Sequence, residues 1–133
     1  MSEFNAEFWQ EIKEKYPKGW NLFKNFIRME NCLTKLNNKL KVGVWFNDKY
    51  NYRNICYCDI EKFFDAQGII ILIIYCDYDE AKNYQRFSFD IINKQTNNLL
   101  SDKNIYYDTR HESKLEAVKK AFEILNQQLE NEK

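Results

Sequence analysis

Glycine and proline are scarce, with three Gly and one Pro in 133 residues. That scarcity excludes a long flexible linker and a low-complexity tail. It also excludes a glycine-rich phosphate loop, because Gly19, Gly43 and Gly68 stand far apart. Long apolar runs are missing as well. The longest, 69–76, has eight residues, against the roughly 18 that a membrane span needs. The first residues, Met1-Ser2-Glu3-Phe4-Asn5, carry neither the basic nor the apolar region of a signal peptide, so a cytoplasmic protein with no membrane partner is expected. Charge of one sign is lacking too: twenty Lys and Arg balance twenty Asp and Glu. This removes the global electrostatic argument for nucleic acid or an anionic membrane as a partner.

Groups for catalysis are few. The single histidine, His111, lies between Arg110 and Glu112 and reads as a solvated loop residue. No G-x-S-x-G elbow and no H-E-x-x-H helix is present. Four cysteines occur, at 32, 56, 58 and 76. Without a secretion signal, reduced thiols are expected. Only Cys56 and Cys58 are close in sequence, which falls short of the two paired clusters of a zinc site, and all four read as small buried hydrophobes. No catalytic residue, metal or cofactor is assigned, and the protein is expected not to be an enzyme.

What is present is aromatic: Phe, Trp and Tyr make up 17% of the chain, so the core is expected to be built around rings. Phe4, Phe8, Ile12 and Tyr16 recur every four residues, predicting a first helix that Pro17 and Gly19 end. Trp20, Phe23 and Ile27 predict a second helix over about 20–30. Val42, Val44 and Phe46 alternate as a strand, and 50–58 is a hairpin partner for it, with Cys56 and Cys58 on one face. Asp59 reads as the N-cap of a short helix bearing Ile60, Phe63 and Phe64, with Gly68 placed as its terminating glycine. The continuous run 69–76 predicts a strand covered on both faces. Phe87, Phe89 and Ile91 alternate as a second strand, and 105–107 reads as a third. Ser113 with Glu116 forms a capping box, opening a last helix whose Leu115, Val118, Phe122, Leu125 and Leu129 share one face. The expectation is a single α+β domain over 1–133. An antiparallel sheet of three to five strands is packed by the C-terminal amphipathic helix, and the N-terminal helices cover the sheet's other face.

Charge is segregated along the chain. Residues 35–58 carry Lys35, Lys39, Lys41, Lys49 and Arg53 against Asp48, a balance of +4. Residues 59–82 carry six acids against Lys62 and Lys82, a balance of −4. The acidic surface of Glu61, Asp65, Asp77, Asp79 and Glu80 suits docking to a basic partner. The alternative is a nucleic-acid module, in which Lys39, Lys41, Lys49 and Arg53 neutralise phosphates while Trp45 and Tyr52 stack on bases. The aromatic excess also allows a homodimer through exposed Trp or Tyr.

From 59 to 130 the order helix, three strands, helix resembles a double-stranded RNA-binding domain. That family carries a lysine cluster at the start of its last helix and a histidine in its first strand loop. Here the helix start is Ser113-Lys114-Leu115-Glu116 and the loop 77–83 holds three carboxylates and no histidine, so the resemblance implies topology and not RNA contact. Lys15-Tyr16-Pro17-Lys18-Gly19-Trp20, the stretch 59–69 and Thr109-Arg110-His111-Glu112-Ser113-Lys114-Leu115-Glu116-Ala117 resemble small proteins encoded by phages and other mobile elements. This resemblance implies a non-enzymatic accessory factor, inhibitor or adaptor, whose partner is a host or defence protein.

Overall fold

The computed structural model describes residues 4–37, 55–75, 87–101 and 105–132, of which 29–37 in backbone only. Its elements are α1 (Ala6–Lys15), α2 (Pro17–Asn37), α3 (Tyr57–Ala66), β1 (Ile69–Tyr75), β2 (Phe87–Asn93) and α4 (Arg110–Asn131). The described residues thus form an α+β arrangement of four helices and a two-stranded antiparallel sheet. None of these helices is long and apolar enough to cross a membrane.

Asn5 caps α1 by accepting the Phe8 N–H at 2.9 Å, and the helix buries Phe8, Trp9 and Ile12. Pro17 does not simply end the first helix. It opens α2 one residue later, at the helical position where a missing N–H does no harm. The second helix then continues past 30 to Asn37. Gly68 follows α3 with φ +79°, the left-handed conformation that a glycine adopts without strain. It turns the chain straight into β1.

In the sheet, Ile71 pairs with Ile91 and Ile73 with Phe89, so these four point to one face. α4 packs on the sheet, and its Ala117, Val118, Ala121, Phe122 and Leu125 are all buried. On the opposite face, Ile70 and Ile74 are half-buried and Leu72 is 42% exposed. Among the described residues, the N-terminal helices make no substantial contact with either strand, so the expected cover of that second face is not seen there. They pack on α4 and α3 through rings: Phe122 lies 5.6 Å from Phe23 and 6.1 Å from Trp9, and Phe63 lies 5.1 Å from Phe23. Ring-to-ring packing among helices is the more complete burial for side chains this large.

The sheet is narrower than the three to five strands expected. Among the described residues, 105–107 meets β2 only through a bridge between Phe87 and Tyr107, and a second bridge joins Ile92 to Leu99. Between them the Ile91 N–H is taken by the Ser101 hydroxyl at 2.9 Å, where a regular third strand would offer a carbonyl. The strand expected at 41–46 lies outside the described residues. Its expected partner 50–58 does not hold at its end, because Tyr57 and Cys58 are the first helical residues of α3.

Candidate functional site

α3, the sheet and the start of α4 enclose a groove of about 390 Å³. Ile71, Ile73 and Tyr75 of β1 and Phe87 of β2 supply its aliphatic and aromatic side chains, and Leu72 borders it between them. Tyr57 and Glu61 line it from α3, Arg110 and Lys114 from α4. The last two are four apart on a helix and so share one side. Thr109 fixes where that helix begins, its hydroxyl accepting the Glu112 N–H at 3.1 Å. The cap therefore lies four residues before the Ser113 predicted for that place. Ser113 is fully buried, and its hydroxyl donates instead to the Ser88 carbonyl at 2.8 Å, locking α4 to β2.

Both cations of the groove sit over rings. The Lys114 Nζ lies 4.8 Å from the Tyr57 ring centroid and the Arg110 Cζ 5.6 Å from that of Phe87. Each contact ties α4 to a different neighbour and holds a positive charge against an apolar wall. The first turns of a helix already carry partial positive charge, so two cations placed there intensify the field toward anions. Glu61 is the acid of the groove. Although Glu61 is exposed, partial desolvation pushes its carboxyl above the usual range, Asp65 one turn on adds to this, and Lys114 pulls the other way.

The rim of the groove continues into a second feature. Cys56 is the N-cap of α3, and a disulfide joins it to Cys58 with Cα atoms 5.4 Å apart. Both residues are exposed, so for this pair the reading as reduced, buried hydrophobes is corrected. The error has a physical source: one-residue spacing suggests a strand face, whereas these residues begin a helix. Asp59 is the third residue of α3 rather than its cap. Its Oδ2 accepts the Cys56 N–H at 3.3 Å and lies 3.2 Å from the Cys56 Sγ. The two sulfurs and a carboxylate oxygen of Asp59 lie within 4.8 Å of one another. They are a metal ligand set only after reduction, since ligation needs thiolates.

Of the acidic residues singled out in the sequence, Glu61 and Asp65 are exposed on one side of α3, and Glu61 lines the groove. Asp77, Asp79 and Glu80 lie outside the described residues, as do Lys39, Lys41, Trp45, Lys49, Tyr52 and Arg53. His111 is exposed in the first turn of α4, not in a loop. Trp9 and Trp20 are buried, while Tyr75 and Tyr106 are exposed. Sequence reasoning missed Tyr57, Arg110 and Lys114 as a group; the spacing of four between the two cations was the available signal. Compared with protein-family models, curated proteins and solved structures, the chain has no match.

Proposed function

We propose that this chain is a non-enzymatic accessory protein of the inhibitor or adaptor type, binding another protein through the groove between α3, β1 and α4. Its occupant is an extended segment of the partner that carries acidic residues beside an aromatic or aliphatic side chain. The observation that supports this most is the placement of Arg110 and Lys114 over Phe87 and Tyr57, which sets two positive charges above an apolar lining. Polar groups make up at least as much of the groove's surface as apolar ones, and a groove of this size accommodates side chains rather than a whole domain. The resemblance of residues 59–69 and 109–117 to phage and mobile-element proteins favours a host or defence protein as that partner.

The test is selection of peptides from a random library by the full chain, followed by titration of the winners. Enrichment of acidic peptides with an aromatic or aliphatic anchor is expected. Arg110→Glu with Lys114→Glu should weaken their binding by tenfold or more. Winners without acidic residues, or equal binding by the charge-reversed variant, would sink the reading. The nucleic-acid alternative, resting on Lys39, Lys41, Trp45, Lys49, Tyr52 and Arg53, is separated by titrating a single-stranded oligonucleotide. Counterion release would make that binding fall steeply with salt.

A further inference from the structure

We propose that Cys56 and Cys58 form a redox-active site that exchanges its disulfide with cysteine thiols, in glutathione or in a protein dithiol. This inference is independent of what the groove binds.

A disulfide that spans a single intervening residue restrains very little chain, so it removes little entropy from the unfolded state. Tyr57 and Cys58 are moreover held already by the hydrogen bonds of α3. The bond is thus poorly placed as a staple. It is well placed for chemistry, because both cysteines are exposed and within reach of another molecule's thiol. Cys58 lies in the first turn of α3, where the helix N-terminus favours negative charge on a departing sulfur.

Asp59 adds an observation that distinguishes the two oxidation states. Its Oδ2 is 3.2 Å from the Cys56 Sγ, a hydrogen-bonding distance for a thiol. A disulfide sulfur has no proton to donate. Reduction therefore creates a hydrogen bond from the Cys56 S–H to Asp59 that the oxidised form lacks, and the site has a defined arrangement in both states.

The exchange runs in two displacements. A thiolate of the reductant attacks the Cys56 sulfur, the Cys56–Cys58 bond breaks, and its electron pair leaves on Cys58. A second thiolate then attacks the reductant's sulfur in the mixed disulfide. This releases Cys56 as a thiolate, which takes up a proton from solvent and keeps it, its S–H hydrogen-bonding to the Asp59 carboxylate. Two thiols are oxidised to one disulfide as the Cys56–Cys58 pair is reduced by two electrons. The reverse sequence oxidises a partner dithiol.

The full-length protein is equilibrated over a series of reduced-to-oxidised glutathione ratios, and in parallel with a thioredoxin couple. Free thiols are then alkylated and the 56–58 peptide is weighed. The expected result is a reversible change from no alkyl group to two across the series, with the helical circular dichroism unchanged. Response to glutathione identifies a small thiol as the reactant, and response to thioredoxin alone identifies a protein dithiol. A peptide that stays in one state in both arms would overturn the proposal, as would unfolding on reduction, which would make the bond a staple. Asp59→Asn is expected to move the midpoint several-fold toward the disulfide, because the reduced form loses its charge-assisted bond. An unmoved midpoint would overturn the part assigned to Asp59.

Discussion

Asn126 on α4 caps α2, a helix 107 residues away in the chain: its Oδ1 accepts the backbone N–H of Lys18 at 2.9 Å and of Gly19 at 3.1 Å. These are two of the donors that the first turn of any helix leaves without an internal partner. Tyr16, just before Pro17, has no short oxygen-bearing side chain to take them. Asn126 is itself buried, and its Nδ2 donates to Glu130 at 3.1 Å.

Replacing Asn126 with Leu removes the cap and leaves buried N–H groups without an acceptor. The expected loss is about 2 kcal/mol from cap and desolvation together. Asn126→Asp keeps an oxygen facing the helix N-terminus and should lose less. Urea midpoints of the two variants check the ordering, and equal losses would show that Asn126 acts through packing alone.

Much of the helical framework is legible in local spacing. Phe8 and Ile12, the face of Val118, Phe122 and Leu125, and the turn at Gly68 all follow from patterns within a few residues. What escapes is whatever one part of the chain supplies to another. Ser113 with Glu116 satisfies a capping pattern, yet the Ser113 hydroxyl is committed to a carbonyl 25 residues away, leaving Thr109 to cap. Asn126 reads as an ordinary helical surface residue until α2 is packed against it. The groove draws Tyr57, Glu61, Arg110 and Lys114 from two helices that lie far apart in the sequence. No spacing rule joins residues 57 and 114.

Ser113 gives a second stability test. Its hydroxyl links α4 to β2, and Ser113→Ala leaves the half-buried Ser88 carbonyl without that donor. A loss of about 1–2 kcal/mol is expected. Thr109→Ala frays the exposed start of α4 and should lose about 1 kcal/mol. The two residues are one helical turn apart and are joined by the Ser113 N–H donating to the Thr109 carbonyl at 3.2 Å, so the double variant should depart from the sum, as denaturation of all three would show.

Phe122 is where the helices converge, with Trp9, Phe23, Phe63 and Phe64 around it at ring-centroid distances of 5.0 to 6.2 Å. Phe122→Ala opens a cavity between rings too large to close in on it, and a loss of about 3–5 kcal/mol is expected. Phe122→Leu keeps most of the volume and should lose much less. A small effect for Phe122→Ala in thermal or urea unfolding would mean that the helices are not fastened at this point.

Two glutamates should give pH dependences of opposite sign. At Glu11, burial pushes the carboxyl up, but hydrogen bonding and attraction from Lys119, aided by Lys15, outweigh it and leave the carboxyl lowered. The Lys119 Nζ is 3.3 Å from Glu11, joining α4 to α1. A lowered carboxyl stabilises the fold above the ordinary carboxylate range and loses that contribution as pH falls through its own titration. Because the pair is partly exposed, solvent screening holds its contribution to about 0.2–1 kcal/mol. Glu61 is raised, chiefly by burial and next by Asp65, so its contribution is complete at low pH and is lost as pH rises through the raised value. At neutral pH, Glu11→Gln should therefore be less stable than the parent chain and Glu61→Gln more stable. At about pH 3, below the usual carboxylate range, both differences should shrink toward zero. Urea midpoints at the two pH values decide it. A Glu61→Gln variant less stable than the parent at neutral pH would show that the attraction between Glu61 and Lys114 outweighs burial and the repulsion from Asp65.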